Sequence, residues 1–232
     1  MSPSILFYDR DTAGRQLAEA IEIEIFRIRE RGISAKPIVY ALPRGGLPVA
    51  VPVALKLRCP LDAIVAKKIT LPQDPELAIG AVTANGQAIW SNRWRLSPDL
   101  PDLQQALQQA QQKAQKQYER LAVYCPKVSA QGRIAIVIDD GIATGMTIAA
   151  ATQALQAEKP EQVWIGTPVA PLAALEFLQQ LCDRAIVLAT PDRFFSVSRF
   201  YEEFNQVELE VAATLLQKVN QPPSTTDRSL HP

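Results

Sequence analysis

Five short, almost unbroken apolar runs punctuate the chain, at residues 37–42, 61–66, 134–138, 162–166 and 184–189. Each is too short for a helix, and runs of this kind are what strands buried on both faces of a parallel sheet look like. Before and between them lie longer stretches, 12–31, 48–57, 145–158 and 171–181, in which apolar residues return every three or four positions and predict helices. The alternation predicts an α/β fold built on a single doubly wound, mostly parallel sheet.

The second and third strands are separated by residues 67–132, too many for a simple connection. Residues 79–90 alternate around Asn85-Gly86, a pair suited to a tight hairpin turn. Residues 99–124 carry Leu103, Ala106, Leu107, Ala110, Ala114, Tyr118 and Leu121 at helical spacing opposite a Gln- and Lys-rich face. A flexible flap or insert over about 68–132 is therefore expected. After the last strand, residues 191–204 hold five aromatics, and a helical pattern follows at 208–219. One domain over 1–219 is the expectation, with a small C-terminal hood at about 191–207 and a disordered tail at 220–232.

Composition removes several classes of function. In 232 residues, 47% hydrophobic and 21% charged, 24 Lys and Arg balance 24 Asp and Glu, so no global field favours nucleic acid or an anionic membrane. Any anion site must be local. Cys59, Cys125 and Cys182 are widely spaced, which argues against a disulfide framework or a thiolate metal site. The first ten residues lack a basic flank followed by an apolar run, and nothing later reaches the ~18 apolar residues of a membrane span. A cytoplasmic protein is expected. The one histidine, His231, sits in the polar tail, so His-dependent catalysis is not expected of the folded body.

The chemistry gathers in Ile134-Ala-Ile-Val-Ile-Asp-Asp-Gly-Ile-Ala-Thr-Gly-Met-Thr147. Asp139 and Asp140 stand at the carboxyl end of a strand, the edge at which open α/β sheets bind ligands. Ala143, Thr144, Gly145, Met146 and Thr147 then turn into a helix start, where small residues let backbone amides approach an oxyanion. No Lys follows Gly145 as in a Walker loop, and the spacing is not Gly-x-Gly-x-x-Gly. The acids alone could be helix caps and the turn an ordinary one. Together, in this order, they describe a site for a sugar phosphate, with carboxylates for hydroxyls and amides for phosphate.

This segment resembles the phosphoribosyl diphosphate (PRPP) motif of type I phosphoribosyltransferases, and residues 7–204 as a whole are similar to a branch of predicted phosphoribosyltransferases of unknown acceptor. The resemblance implies that Asp139 and Asp140 bind the ribose hydroxyls and that residues 143–147 hold the 5′-phosphate. Members acting on 6-oxopurines usually carry an acid where this chain has Ala143, so the motif is more similar to the adenine branch. Pro43-Arg-Gly-Gly46 matches the family's pyrophosphate loop in position and glycine content, which gives Arg44, Gly45 and Gly46 that role. Lys67 and Lys68, read as the end of the second strand, would add charge against the leaving pyrophosphate, and Arg44 and Lys68 would act in catalysis beside the acids. Glu76 lies in the region of the family's mobile loop and is a weak candidate for moving a proton. Phe194 or Phe195 in the hood could stack on a base, or form a small aromatic core.

The expected function is transfer of ribose 5-phosphate from PRPP to a nitrogenous acceptor such as a nucleobase, releasing pyrophosphate. The resemblance further implies Mg²⁺ as cofactor, met by Asp139 and Asp140 through water, and a homodimer. A non-catalytic PRPP-binding regulator is the alternative. A phosphohydrolase built on the acidic pair lacks further clustered ligands.

Overall fold

A computed structural model describes residues 5–71, 74–91 and 101–221. The expected tail from 222 onward, His231 and the side chain of Glu76 lie outside the described residues. The elements follow in the order α1 (Arg10–Glu30), β1 (Pro37–Ala41), α2 (Gly46–Leu57), β2 (Leu61–Ala63), β3 (Ala66–Leu71), β4 (Asp74–Thr83), β5 (Ala88–Trp90), α3 (Pro101–Ala122), β6 (Ile134–Ile138), α4 (Met146–Gln156), β7 (Gln162–Val169), α5 (Leu175–Leu181), β8 (Arg184–Ala189) and α6 (Leu209–Asn220).

Five parallel strands form the main sheet in the order β2-β1-β6-β7-β8. Strands β1 and β6 are buried along their whole length, as their continuous apolar runs require. Alternate side chains enter different cores. Val39, Ala41, Ile136, Ile138 and Trp164 pack with α1, α2 and α6. Ile38, Tyr40, Ala135, Val137 and Ile165 pack with α4 and α5 on the other side. The chain steps outward from β1 to β2, then returns to lay β6 on the opposite side of β1. The two helices that follow these strands, α2 and α4, therefore leave toward opposite faces and open a crevice between the β1 and β6 loops.

The excursion after β2 is a folded unit of its own. Strands β3, β4 and β5 make an antiparallel sheet whose apolar side, Ile69, Ile79 and Val82, packs on Leu103, Ala106 and Ala110 of α3. The β4–β5 turn falls at Asn85-Gly86, where Gly86 has φ +89°, the region glycine favours. One expectation needs correction. Lys67 and Lys68 do not end the second strand of the main sheet, since β2 stops at Ala63 and both lysines lie in β3 of the smaller sheet. The stretch Ala63-Ile-Val-Ala66 contains no turn-forming residue, and so hides the point where the chain changes sheet.

Candidate active site

The crevice holds a cavity of about 570 Å³ lined by Arg44 and Gly45 after β1, Asp139 and Asp140 after β6, Thr147 at the start of α4, and Arg10, Val197 and Phe204 from remote segments. The Pro43–Arg44 peptide bond is cis. Backbone approach here is close. A Cβ on Gly45 would stand 2.1 Å from Asp140 Oδ2, and one on Gly46 would stand 2.6 Å from the Ile138 carbonyl oxygen, so both loops can meet only because these positions lack side chains.

The two acids are held differently. Asp140 accepts a 2.7 Å hydrogen bond from Arg10 Nε, and the two side chains are only 14% and 11% exposed. The Arg10 guanidinium also donates to the Asn205 carbonyl at 2.8 Å and lies 3.7 Å from the centre of the Phe204 ring. The Tyr201 hydroxyl donates to the Asp140 carbonyl oxygen at 2.6 Å, tying the hood to the motif. Asp139 accepts from the Asp140 amide at 2.9 Å and has no ion pair of its own among the described residues. Burial, then the neighbouring Asp140 charge, raise its pKa well above the usual carboxylate range.

Past the acids, Gly145 adopts φ +75° and caps α4 without a side-chain hydrogen bond. Among the described residues, none of the backbone N–H groups of residues 143–148 donates a hydrogen bond. Several amides left free at a helix N-terminus form a ready anion site. Ala143 and Thr144 are exposed, and with Met146 they border a neighbouring groove of about 850 Å³ that also receives Lys68. The amides of Arg44 and Gly45 are likewise without hydrogen bonds among the described residues. Lys67 is half-buried, and burial, then the nearby Arg44 and Lys113 charges, lower its pKa. Lys67 itself lines neither the cavity nor the groove, and among the described residues Arg44 has only Glu208, at 3.5 Å, as an ion-pair partner.

The structure separates the sequence-derived candidates. Asp139, Asp140, Arg44, Gly45 and Thr147 share one cavity, with Gly46 packed directly beneath. Lys68 faces the outer groove instead. Phe194 and Phe195 do not line the cavity: Phe194 packs 5.3 Å from Phe200 in the aromatic core under the hood, and Phe195 is 70% exposed beside Arg199. Phe204 is the aromatic residue of the crevice. Arg10 and Phe204 escaped the sequence reading because neither belongs to a spaced motif. Asp140, the partner of Arg10, is 130 positions from it, and Phe204 meets the site through the Arg10 guanidinium.

Among the described residues no group of three or more His, Cys, Asp or Glu could hold a metal, and no helix is long and apolar enough to cross a membrane.

Known proteins share this architecture. The family model of the phosphoribosyl transferase domain matches residues 12–202. Two Mycobacterium tuberculosis proteins, from strains CDC 1551 / Oshkosh and H37Rv, are each 34% identical over 93% of this chain; the second carries the name "Putative phosphoribosyl transferase Rv0571c". The alignment covers 47% of either protein, so the chain spans about half the length of the curated relatives it matches. The crystal structure of TT1426 from Thermus thermophilus is 32% identical, with a TM-score of 0.74 over 92% of this chain and 98% of that one. A family match over most of the chain, together with two acids and an unpartnered amide turn at the sheet's switch point, has one consequence: the chain belongs to the phosphoribosyl transferase domain family.

Proposed function

We propose that the protein is a Mg²⁺-dependent phosphoribosyltransferase that moves ribose 5-phosphate from PRPP to a nitrogenous acceptor, with pyrophosphate as leaving group. The observation that carries this reading is the run of amides at 143–148, free among the described residues, which follows an acidic pair and spans from the neighbouring groove to the crevice, where Arg44, its amide and that of Gly45 stand opposite. A monoester phosphate fits the first set, a diphosphate the second, and vicinal hydroxyls fit the carboxylates between them.

The residues divide the work by charge. Amides of 143–148 hold the 5′-phosphate at the positive end of α4. Asp139 and Asp140 orient the ribose, so that the acceptor nitrogen and the departing oxygen lie on opposite sides of the anomeric carbon. Arg44 and Lys67 stabilise the negative charge that collects on pyrophosphate as that bond breaks. Phe204, with one face covered by Arg10, offers a flat surface for a planar acceptor.

The donor set fits Mg²⁺. With only two carboxylates present, the ion would be carried largely by diphosphate oxygens and water, the arrangement Mg²⁺ ordinarily adopts. Asp139, buried beside a like charge, would gain from a cation at that edge. When bound, Mg²⁺ would neutralise diphosphate charge.

The test is pyrophosphate release on mixing PRPP, Mg²⁺ and a panel of nucleobases and simple amines. Release that depends on one acceptor and is lost in the double variant Asp139→Asn, Asp140→Asn is the expected result. Saturable PRPP binding without release under any acceptor would favour a regulatory protein, and unchanged calorimetric affinity in the double variant would remove the carboxylates from the site.

A further inference from the structure

A second cavity, of about 440 Å³, lies against the edge strand β2 and shares no lining residue with the crevice. Its walls come from six places in the chain. Tyr40 of β1 and Asp62 of β2 are register partners in adjacent parallel strands and present their side chains to the same face. Tyr118 and Glu119 come from α3, Asn85 from the β4–β5 turn, and Glu158 from just beyond α4. Among the described residues no lysine or arginine lines the cavity.

Two independent features mark this as more than a gap in packing. The first is charge. Asp62, Glu119 and Glu158 take part in no ion pair among the described residues; Glu119 and Glu158 are exposed, but Asp62 is part-buried like Asp140 and Glu24, which are both paired. The second is Tyr40, which is 5% exposed yet whose hydroxyl makes no hydrogen bond among the described residues. The residue is buried, yet its hydroxyl is not among the enclosed unpartnered atoms, so it has open space beside it where Tyr40 lines the cavity. Burial raises its pKa, with the Glu158 and Asp62 charges adding to it, and both carboxylates line the same cavity. The remaining lining is apolar and includes Ile64, Val65 and Leu155.

We propose that this cavity is a binding site for a small organic cation, an ammonium group carried on a compact apolar body. The ammonium would sit among Asp62, Glu158 and the Tyr40 hydroxyl, and the body would lie on the aliphatic floor under the Tyr118 ring. Burial raises the pKa of Asp62, so an ionised carboxylate is costly there until a cation accompanies it. Arg133 acts on the Tyr40 phenol from outside the lining and leaves the cavity itself without positive charge. The site stands apart from the proposed transferase chemistry, although Tyr40 precedes Arg44 by only four residues on the same strand and loop.

The experiment is isothermal titration of the whole protein with phenethylammonium and, in parallel, with 2-phenylethanol, a neutral molecule of similar shape. Saturable binding of the ammonium alone is expected, weakened roughly tenfold or more in Asp62→Asn, which loses a charge-assisted contact. Asn keeps the Oδ1 that accepts from the Ala63 amide at 2.7 Å, so the fold should tolerate it. Tyr40→Phe should weaken binding by a smaller factor and leave PRPP affinity unchanged. Equal binding of the alcohol, no binding of the ammonium at millimolar concentration, or ammonium affinity that ignores both substitutions would each overturn the proposal; the wild-type comparison of the two probes decides the matter even if a variant misfolds.

Discussion

Arg10 offers the most demanding check on the site. It is the first residue of α1, yet it closes the crevice through Asp140, the Asn205 carbonyl and the face of Phe204. Arg10→Gln removes the cation while keeping a hydrogen-bonding side chain of similar reach. Asp140 would then be left 14% exposed with no counter-ion and with Asp139 beside it. Breaking a fully buried pair from one side costs about 3 to 5 kcal/mol. Some exposure remains, so we expect about 3 kcal/mol here, equivalent to a fall in Tm of roughly 6 to 12 °C for a chain of this size. Arg15→Gln is the control, since its partner Asp11 lies one turn away and the pair is 74% and 48% exposed. An exposed i,i+4 pair is worth about 0.3 to 0.5 kcal/mol. Denaturant unfolding of both variants measures the difference directly. If Arg10→Gln costs no more than Arg15→Gln, the Arg10–Asp140 contact is not a buried ion pair in solution, and the account of how the acids are held fails.

Three further outcomes follow from the same geometry. Gly45→Ala drives a Cβ to within 2.1 Å of Asp140 Oδ2, so it should cost about 1 to 3 kcal/mol of stability and weaken PRPP binding; unchanged calorimetric affinity would show that the carboxylate can step aside freely. Asp139 has its pKa raised in the folded protein, so the native state binds more protons than the unfolded one between the two pKa values, and stability should fall as pH rises from about 4 through the folded value. If ribose hydroxyls and a metal-bound diphosphate favour the ionised acid, binding must expel that proton, and titrations in buffers of different ionisation enthalpy should reveal proton release below that pKa and none in Asp139→Asn. Thr144→Val should lower affinity for ribose 5-phosphate by the ~1 to 3 kcal/mol of a lost donor to a charged group, and no change would move the phosphate site away from this turn.

What the sequence disclosed, and what it concealed, follows from the range of the interactions concerned. The apolar run at 134–138 coincides with β6 because a strand buried on both faces is selected residue by residue for hydrophobicity, and the run at 184–189 coincides with β8, a half-buried edge strand. The helix read at 99–124 appears as α3, since its apolar stripe faces the small sheet. Asp139, Asp140 and the turn to Thr147 were equally plain, being contiguous and shaped by one strand end and one helix start. The switch of sheets between Ala63 and Ala66 left no mark, for an apolar residue serves either sheet and the change of partner is decided by α3, far along the chain.

The hood shows the same limit from the other side. Five aromatics within residues 191–204 announce a cluster but not which member faces the ligand, because that depends on where Phe7 and Ala13 of the N-terminal segment arrive. Phe7 bridges to Tyr201 and stacks 5.4 Å from it, and this contact turns Phe194 and Phe200 inward while Tyr201 reaches Asp140. Phe204 is then the ring left at the crevice, already covered on one side by Arg10. The segment at 7–10 thus sets both the ion pair that holds Asp140 and the ring that faces the crevice. Two properties housed in the PRPP motif and the hood are governed by residues about 130 and 190 positions upstream of them. The local motif sets two acids beside a turn of amides that are free among the described residues; the distant N-terminal segment fixes which ring faces the crevice.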